Sequence, residues 1–256
     1  MRGLDLPGSP RMTDQTPASP HVSIVVPVRN EADNVQILID EIEQACAALA
    51  PYEVIYVDDG STDRTGEVIQ EARRTRPWLR LLRHEESCGQ SAAVRTGVVA
   101  ARSAIVATLD GDGQNDPAFI PRLVAALEEP ATGLAAGQRI GRKDGSYKTW
   151  QSRIANGVRQ TILKDATRDT GCGLKAFRRD IYLALPYFDA LHRFMPALVK
   201  REGYGIAHVD VMDRPRHAGR SNYGLLDRLW VGILDLMGVW WLLRRRRRVP
   251  AVREIP

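Results

Sequence analysis

Cysteine is scarce in this 256-residue sequence, and its arrangement excludes two classes of protein. Cys46, Cys88 and Cys172 are odd in number, far apart and without the paired spacing of a zinc site. Neither a disulfide framework nor a structural zinc site is therefore expected, and a reducing cytoplasm fits best. The first twenty residues contain four prolines and no apolar run, so we expect a disordered tail over 1–20 instead of a signal peptide.

A glycine-rich phosphate loop is also missing. In a dinucleotide-binding fold, a G-x-G-x-x-G turn follows the first strand and points its backbone amides at pyrophosphate. Here the first strand-like run, VSIVVPV, is followed by RNE, and residues 27–31 contain no glycine. If this chain binds phosphates, other groups must hold them.

Net positive charge is confined to one block. The formal net charge is +5, but Arg244–Arg248 are five consecutive arginines directly after the segment LWVGILDLMGVWWLL. Without that block the body is near neutral, so the charge does not indicate nucleic-acid binding. A basic run next to tryptophans and leucines is typical of binding to anionic lipid headgroups. A solvated charge run on a C-terminal tail is the alternative interpretation.

The order of apolar segments predicts the fold class. Hydrophobic residues make up 44% of the chain, and short runs rich in Val and Ile alternate with segments of helical periodicity, the first with Asn30 as its predicted N-cap. This alternation predicts an α/β, Rossmann-like fold in which helices flank a mostly parallel sheet. The predicted strands cover 22–28, 53–59, 80–84 and 104–110, and the predicted helices cover 30–49, 63–74 and 90–101.

Acidic residues follow two of the predicted strands. Asp58 and Asp59 end the second strand in DDGSTD, and Asp110 and Asp112 follow the fourth in LDGDGQ. Ligands of such sheets bind beyond the carboxyl ends of the strands. Carboxylates at i and i+2 can face one site, and hard oxygen ligands suit Mg²⁺ or Mn²⁺ shared with substrate phosphates. The alternatives are an unliganded turn at the second pair and helix caps at Asp58 and Asp63.

Six motifs occur in the order in which one enzyme family has them: IVVPVRNE, VDDGSTD, LDGDGQ, GQRIGRKD, DTGCGLKAFRR and RPRHAGRSNYG. Over residues 21–224 the sequence resembles the family 2 glycosyltransferases of the GT-A fold, and within them the dolichol-phosphate mannose synthase-like branch. The resemblance implies inverting transfer of a sugar from a GDP- or UDP-linked donor to a polyprenyl phosphate, with Mg²⁺ or Mn²⁺ as cofactor. It also implies that residues 21–222 form one GT-A domain.

The same resemblance implies roles for individual residues. It implies that Asp110 and Asp112 bind the metal and the diphosphate, and that Gln114 lies near the sugar or phosphate. Arg139 matches the arginine of the family's G-S/T-R motif, and Asp169 is grouped with it as a catalytic candidate. The residues expected to hold the nucleotide are Pro27, Glu31, Val57, Asp58 and Asp59. The residues that the resemblance places at phosphate are Arg216, Ser221 and Asn222, and Arg193 joins them as an acceptor candidate because an arginine suits an anionic acceptor.

Two positions depart from the family pattern. Arg29 stands where many members have Tyr, and Asn222 stands where many have Lys. These departures leave the base and the donor sugar open, but not the reaction class. Taken alone, Arg139 and Arg216 are also compatible with surface ion pairs, and Asp169 with a loop cap.

A missing general base favours a phosphate acceptor. Transfer to a hydroxyl requires a base, but His192, His208 and His217 are scattered along the chain and Asp169 is the one remaining candidate. A phosphate monoester has a second pKa of about 6, so at neutral pH it is mostly a dianion and can attack unaided. The cations that suit such an acceptor are Arg193, Arg214, Arg216 and Arg220.

The C-terminal apolar segment predicts membrane association without a span. GLLDRLWVGILDLMGVWWLL is interrupted by Asp227, Arg228 and Asp235, and its longest uncharged stretch is well short of the ~20 residues that a span needs. We interpret 223–248 as an amphipathic helix with a basic block, peripheral on the inner face of the membrane, followed by a tail over 249–256. A packed core helix, a subunit-interface helix in a homo-oligomer and a true span are the alternatives.

Two other functions remain open from the sequence. A family 2 enzyme acting on a hydroxyl acceptor keeps the fold and the donor but needs an essential base. A catalytically inactive, membrane-associated nucleotide-sugar-binding module keeps the site without turnover, and intact Asp110 and Asp112 argue against it. Nucleic acid is not an expected partner, whereas an anionic membrane surface is.

Overall fold

A computed structural model describes residues 19–140, 157, 159–214, 225–245 and 253. Strands and helices alternate along most of this part of the chain. The strands are β1 (Val22–Val28), β2 (Tyr52–Asp59), β3 (Leu79–His84), β4 (Ile105–Thr108), β5 (Thr132–Ile140), β6 (Lys175–Arg178) and β7 (Gly205–Met212). The helices are α1 (Ala32–Cys46), α2 (Thr65–Ala72), α3 (Gln90–Ala100), α4 (Ile120–Ala125), α5 (Arg179–Ala184), α6 (Leu191–Arg201) and α7 (Leu225–Arg244).

The strands form one sheet in the order β3-β2-β1-β4-β6-β5-β7. Strands β3, β2, β1 and β4 are parallel, and β5 is parallel to β7. Strand β6 is antiparallel to both of its neighbours, and its Lys175 pairs with Thr108 of β4 and with Ala136 of β5. The predicted α/β fold with a mostly parallel, helix-flanked sheet is confirmed.

Strand β1 shows why the sheet is covered on both faces. Val22, Ile24 and Val26 pack into the hydrophobic cluster that contains the buried side of α1. Val25 points to the opposite face, into a second cluster built with α3, α5 and α6. Successive side chains of a strand point to opposite faces, so a strand buried on both sides reads as a continuous apolar run. Every residue of β1 is buried accordingly.

Asn30 does not cap α1, which corrects one prediction. Asn30 has a φ of 56°, the left-handed conformation that asparagine tolerates better than most residues. Its side-chain Oδ1 accepts a hydrogen bond from the backbone N of Thr62 at 2.8 Å, and Glu31 occupies the N-cap position of α1. Asn30 therefore joins the loop after β1 to the loop after β2.

Helix α7 is apolar on two faces over its described side chains. Leu236, Leu242 and Leu243 pack against the second cluster, which includes the buried Val239. The side chains exposed on the other face are Ile233, Leu234, Met237, Trp240 and Trp241. The predicted amphipathic character is therefore not confirmed, because apolar residues lie on the docked face as well as on the outer one. None of the helices in the described ranges has the length and apolar character needed to cross a bilayer.

Candidate active site

The carboxyl ends of β1, β2 and β4 meet at one edge of the sheet. Pro27 of β1 pairs with Val57 of β2, and Val28 pairs with Asp58, so the predicted nucleotide residues lie on adjacent strands. Val25 of β1 pairs with Thr108 of β4, two residues before Asp110. The structure thus brings the two acidic pairs of the sequence to the same edge.

Asp110 and Asp112 lie in a turn that begins where β4 ends. The side chain of Asn115 accepts a hydrogen bond from the backbone N of Asp110 at 3.0 Å, and Asp112 accepts one from the backbone N of Gln114 at 3.1 Å. The Gln90 amide at the start of α3 donates to Oδ1 of Asp110 at 2.7 Å. Three separate contacts therefore fix the geometry of this acidic turn.

The Asp110 carboxylate is short of positive charge. Burial, followed by the nearby charge of Asp112, raises its pKa to about 6, while Lys175 and Arg139 act in the opposite direction. Its carboxyl group lies against Gly173, where an added Cβ would be 2.3 Å from the carboxyl carbon. A divalent cation would relieve the repulsion between Asp110 and Asp112, so the residues present fit a bound metal.

Lys175 is a buried cation that sequence reasoning missed. Its side chain is 3% exposed, and its ammonium donates hydrogen bonds to the backbone oxygens of Cys172 and Thr170. Burial lowers its pKa, and the negative charges near it include Asp110 and Asp169. The motif DTGCGLKAFRR contained Lys175, but nothing in the pattern separated it from a surface lysine.

Asp58 and Asp59 are held very differently from Asp110. Asp59 accepts hydrogen bonds from the backbone N of Cys88 (2.8 Å) and of Gly89 (2.9 Å), from Ser87 Oγ (2.8 Å) and from His84 Nδ1 (2.7 Å). Burial alone would raise its pKa, but these hydrogen bonds hold the pKa below its usual value.

Asp58 is fully buried near the end of β2. Its Oδ1 accepts from the backbone N of Ser61 at 2.9 Å, and its Oδ2 lies 3.5 Å from Nε of Arg83. Asp63, the other suggested cap, accepts from the backbone N of Thr65 at 2.9 Å, at the start of α2. Arg64 occupies the N-cap position of α2, so neither acid is its N-cap. Asp63 bonds the first residue of the helix, and Asp58 stabilises the turn between β2 and α2.

Glu31 and Pro27 flank this edge from β1. The backbone N of Glu31 donates to Oγ1 of Thr65 at 2.9 Å, and its Oε2 accepts from Asn34 at 2.5 Å. Pro27 lines a small cavity together with Gln90, Asp110 and Lys175. The first predicted motif therefore reaches the acidic turn through Pro27.

Arg139 is paired with acids. Its Nε and Nη2 donate to the two carboxylate oxygens of Asp169 at 2.5 Å and 3.0 Å, and its Nη1 lies 3.3 Å from Asp213. Burial would raise the pKa of Asp169, but the hydrogen bonds and charge of Arg139 keep it below its usual value. The pairing weakens the case for Asp169 as a general base, because a carboxylate of low pKa accepts protons poorly.

The residues predicted for the acceptor are only partly described. Arg193 is exposed near the start of α6, and its charge lies close enough to Asp235 of α7 to lower the pKa of that acid, which burial raises overall. Arg214 is paired with Glu41 at 2.6 Å and with Asp116 at 2.5 Å, so its charge is already balanced. Arg216, Ser221 and Asn222 lie outside the described residues.

His192 is the second residue that the sequence did not single out correctly. Its Nδ1 lies 2.7 Å from Oγ of the buried Ser91, which follows Gln90 in α3. The His192 ring lines the same cavity as Asp110 and Lys175. The sequence separates Ser91 and His192 by about a hundred positions, so no local pattern could have paired them.

The mostly parallel, helix-flanked sheet has the GT-A fold of glycosyltransferases, and the chain belongs to glycosyl transferase family 2, which matches residues 23–185. The dodecaprenyl-phosphate galacturonate synthase of Rhizobium johnstonii is 36% identical over 249 residues, which are 93% of this chain and 72% of that protein. The undecaprenyl-phosphate 4-deoxy-4-formamido-L-arabinose transferase of Pseudomonas savastanoi pv. phaseolicola is 36% identical over 205 residues, 79% of this chain. The alignment covers 60% of that second relative's length.

A solved structure supports the fold independently. Glucosyl-3-phosphoglycerate synthase from Mycobacterium tuberculosis, in complex with Mn²⁺, uridine diphosphate and glucosyl-3-phosphoglycerate, superposes with a TM-score of 0.66 at 20% identity. The superposition covers 88% of this chain and 80% of that one. At this identity the likeness shows the fold.

Proposed function

We propose that this chain transfers a sugar, with inversion, from a nucleoside-diphosphate sugar to a polyprenyl phosphate. The observation that carries the proposal is the Asp110 carboxylate, which is raised in pKa beside Asp112 at the edge where GT-A-type sheets bind ligands. Both relatives are named for the transfer of a sugar to a polyprenyl phosphate, which supports the acceptor class.

Asp110 and Asp112 are the residues that would hold a Mg²⁺ or Mn²⁺ ion. Bound there, such an ion would stabilise the negative charge that develops on the departing diphosphate. The chain's own part is to fix the ligands: Gln90 orients Asp110, and Gly173 leaves room for its carboxyl group. Pro27, Glu31, Val57, Asp58 and Asp59 form the neighbouring edge at which we place the nucleotide, and Gln114 follows the acidic turn.

The acceptor side of the reaction needs no base if the acceptor is a phosphate. A phosphate monoester is mostly dianionic at neutral pH, because its second pKa is about 6, and can attack the anomeric carbon directly. Arg139 already neutralises Asp169, which favours this acceptor over a hydroxyl. Attack opposite the leaving diphosphate inverts the anomeric centre. We assign Arg216, Ser221 and Asn222 to the acceptor phosphate on the basis of the family motif, and Arg193 because its charge suits an anionic acceptor.

The outer face of α7 suits an anionic membrane surface. Two exposed tryptophans lie on that face, and the guanidinium of Arg244 stacks 3.7 Å from the Trp240 ring, while that of Arg245 stacks 4.6 Å from Trp241. Aromatic rings followed by arginines fit the boundary between acyl chains and anionic headgroups. We therefore propose that the protein is peripheral on the inner face of the membrane, where its lipid acceptor is available.

Flotation with vesicles tests this placement. We expect binding to vesicles that contain phosphatidylglycerol and weaker binding to pure phosphatidylcholine, with both reduced in a Trp240→Ala, Trp241→Ala double variant. The alternative is that the outer face of α7 packs against a second copy of the chain. Sedimentation at several protein concentrations tests this alternative. A concentration-dependent dimer that the double variant abolishes, without vesicle binding, would contradict the membrane assignment.

A transfer assay tests the reaction. The protein is incubated with undecaprenyl phosphate, Mn²⁺ or Mg²⁺, and a panel of radiolabelled UDP-galacturonate, UDP-glucose, UDP-N-acetylglucosamine and GDP-mannose. We expect label in the lipid fraction with one donor, and its loss on adding EDTA. The absence of labelled lipid with every donor would overturn the acceptor assignment. Transfer to a sugar hydroxyl that is abolished in Asp169→Asn would favour the hydroxyl acceptor instead.

A further inference from the structure

The cavity beside Asp110 is lined by His192, to which the proposed reaction gives no role. Its walls combine the acidic turn with the starts of two helices, because Gln90 opens α3 and His192 lies near the start of α6. Val94 and Met195 add apolar surface. The cavity has a volume of about 10 Å³, which is room for about one water-sized group, such as a single hydroxyl of a larger ligand.

The His192 ring is fixed in this cavity by one of its two nitrogens. Nδ1 lies 2.7 Å from Oγ of Ser91, which is 1% exposed. Within the described residues Nε2 has no hydrogen-bond partner. Burial, and then the charges of Lys175 and Arg193, lower the pKa of His192 to about 3, so the imidazole is neutral at physiological pH. A neutral ring suits a hydroxyl better than a phosphate.

We infer that His192 contacts the donor sugar, hydrogen-bonding one sugar hydroxyl through Nε2 in the cavity beside Asp110. This inference rests on the proposed function, because it places the sugar next to the carboxylates that meet the diphosphate. A hydroxyl both donates and accepts, so either tautomer of His192 can bind it. Ser91 is a positioning residue that sets the ring orientation.

Two substitutions separate sugar contact from a structural role. In His192→Gln the side-chain amide reaches about as far as Nε2, whereas in His192→Asn it reaches about as far as Nδ1, toward Ser91. If His192 contacts the sugar, Gln retains more donor affinity than Asn. If its role is only to hold Ser91, the order is reversed.

The measurement is calorimetric binding in Mn²⁺ without acceptor, using UDP-galacturonate and UDP-glucose, each compared with UDP. We expect His192→Asn to weaken binding of one of the two sugar nucleotides about 5- to 10-fold, the loss typical of one neutral hydrogen bond, while UDP affinity changes less than about twofold. Ser91→Ala should show a smaller loss in the same direction. Equal effects on UDP and UDP-sugar, or no effect on either, would overturn the inference.

His208→Gln is the matched control. His208 also has a ring nitrogen bonded to a hydroxyl, with Nε2 lying 3.1 Å from Oγ1 of Thr167, but it does not line the cavity. Its substitution should leave the ratio of UDP-sugar to UDP affinity unchanged. Because binding is read without acceptor, a failure of lipid transfer would count against the proposed function, whereas an unchanged affinity ratio in His192→Asn would count against this inference alone.

Discussion

Two acidic pairs lie at the same edge of the sheet, one at the end of β2 and one just after β4, and their surroundings differ. The pKa of Asp59 is lowered, whereas the pKa of Asp110 is raised. Asp59, the last residue of β2, is surrounded by four donors that hold its pKa low. Asp110, after β4, receives one side-chain hydrogen bond from Gln90, and burial together with Asp112 raises its pKa to about 6. The hydrogen bonds from Ser87, Cys88 and Gly89 make Asp59 an anchor for the 85–89 loop. We propose that Asp110, whose charge lacks such compensation, is a ligand for a cation.

The substitution with the largest expected effect removes the charge of Asp110. Asp110→Asn should lower lipid transfer about 10³-fold, because the diphosphate loses much of its electrostatic stabilisation. The same variant should be more stable than the parent without metal. A carboxyl whose folded pKa is about 6 costs stability once pH exceeds the unfolded value of ~4, and the full cost applies above pH 6.

Thermal unfolding in EDTA at pH 7.5 measures this gain, which we expect to be about 1–2 kcal/mol. Asp33→Asn, at an exposed position in the first turn of α1, is the control for removing one negative charge. A destabilised Asp110→Asn protein would mean that the Asp110 charge is already compensated.

Two glycines allow the two sites to be crowded separately. A Cβ on Gly173 would lie 2.3 Å from the carboxyl carbon of Asp110, and one on Gly60, whose φ is +66°, would lie 2.7 Å from the backbone of Glu86 and Ser87. We expect Gly173→Ala to lower transfer about 10- to 100-fold, because misplacing a catalytic group is costly. Gly60→Ala should instead lower stability by about 1–3 kcal/mol.

Paired urea titrations and transfer assays on both variants check this contrast. If Gly173→Ala loses stability and Gly60→Ala loses only activity, the roles assigned to the two acidic pairs would have to be exchanged.

The next largest effect is expected from replacing the Asp59 carboxylate with an amide. Asp59→Asn replaces one carboxylate oxygen with an NH₂ group, so one of two backbone amides, Cys88 N on Oδ1 or Gly89 N on Oδ2, loses its acceptor. We expect a loss of about 2–3 kcal/mol in the free energy of unfolding, measured by urea titration. Stability unchanged from the parent would show that the 85–89 loop does not depend on this carboxylate.

The smallest effect should come from a single donor to the anchor. Ser87→Ala removes one of the four hydrogen bonds to Asp59 and should cost about 1 kcal/mol. Cys88→Ala is the matched control, because Cys88 bonds Asp59 through its backbone N, which the substitution keeps. A larger loss in Cys88→Ala than in Ser87→Ala would contradict the hydrogen-bond account.

The sequence predicted the parallel half of the sheet well because the signals there are local. Runs such as VSIVVPV are apolar apart from Ser23 because both faces of β1 are buried, and the strand-end acids follow from the chain order. The capping role given to Asn30 was wrong, because its partner, Thr62, comes from another loop. The family was also predicted correctly from the order of six motifs.

The rest depended on pairings that no local pattern contains. Arg139 and Asp169 are thirty positions apart, so their ion pair could not be told from two free charges. Lys175 and His192 can be recognised as site residues only from the cavity that they line together with Asp110. The roles of the site residues, including those in the undescribed segment 215–224, remain predictions of the motif.

Strand β6 gives the molecule a single reference point. Lys175 of this four-residue strand pairs with Thr108 on one side and with Ala136 on the other. The register of β6 therefore sets the position of the acidic turn, which follows β4, relative to Arg139 in β5. A one-residue insertion in β6 would move the side chains that follow it in the strand to the opposite face of the sheet. It would also shift the register of β6 with both β4 and β5. We therefore expect this short strand to be the least tolerant of length changes in the described chain, a property that an insertion scan would reveal as a sharp minimum.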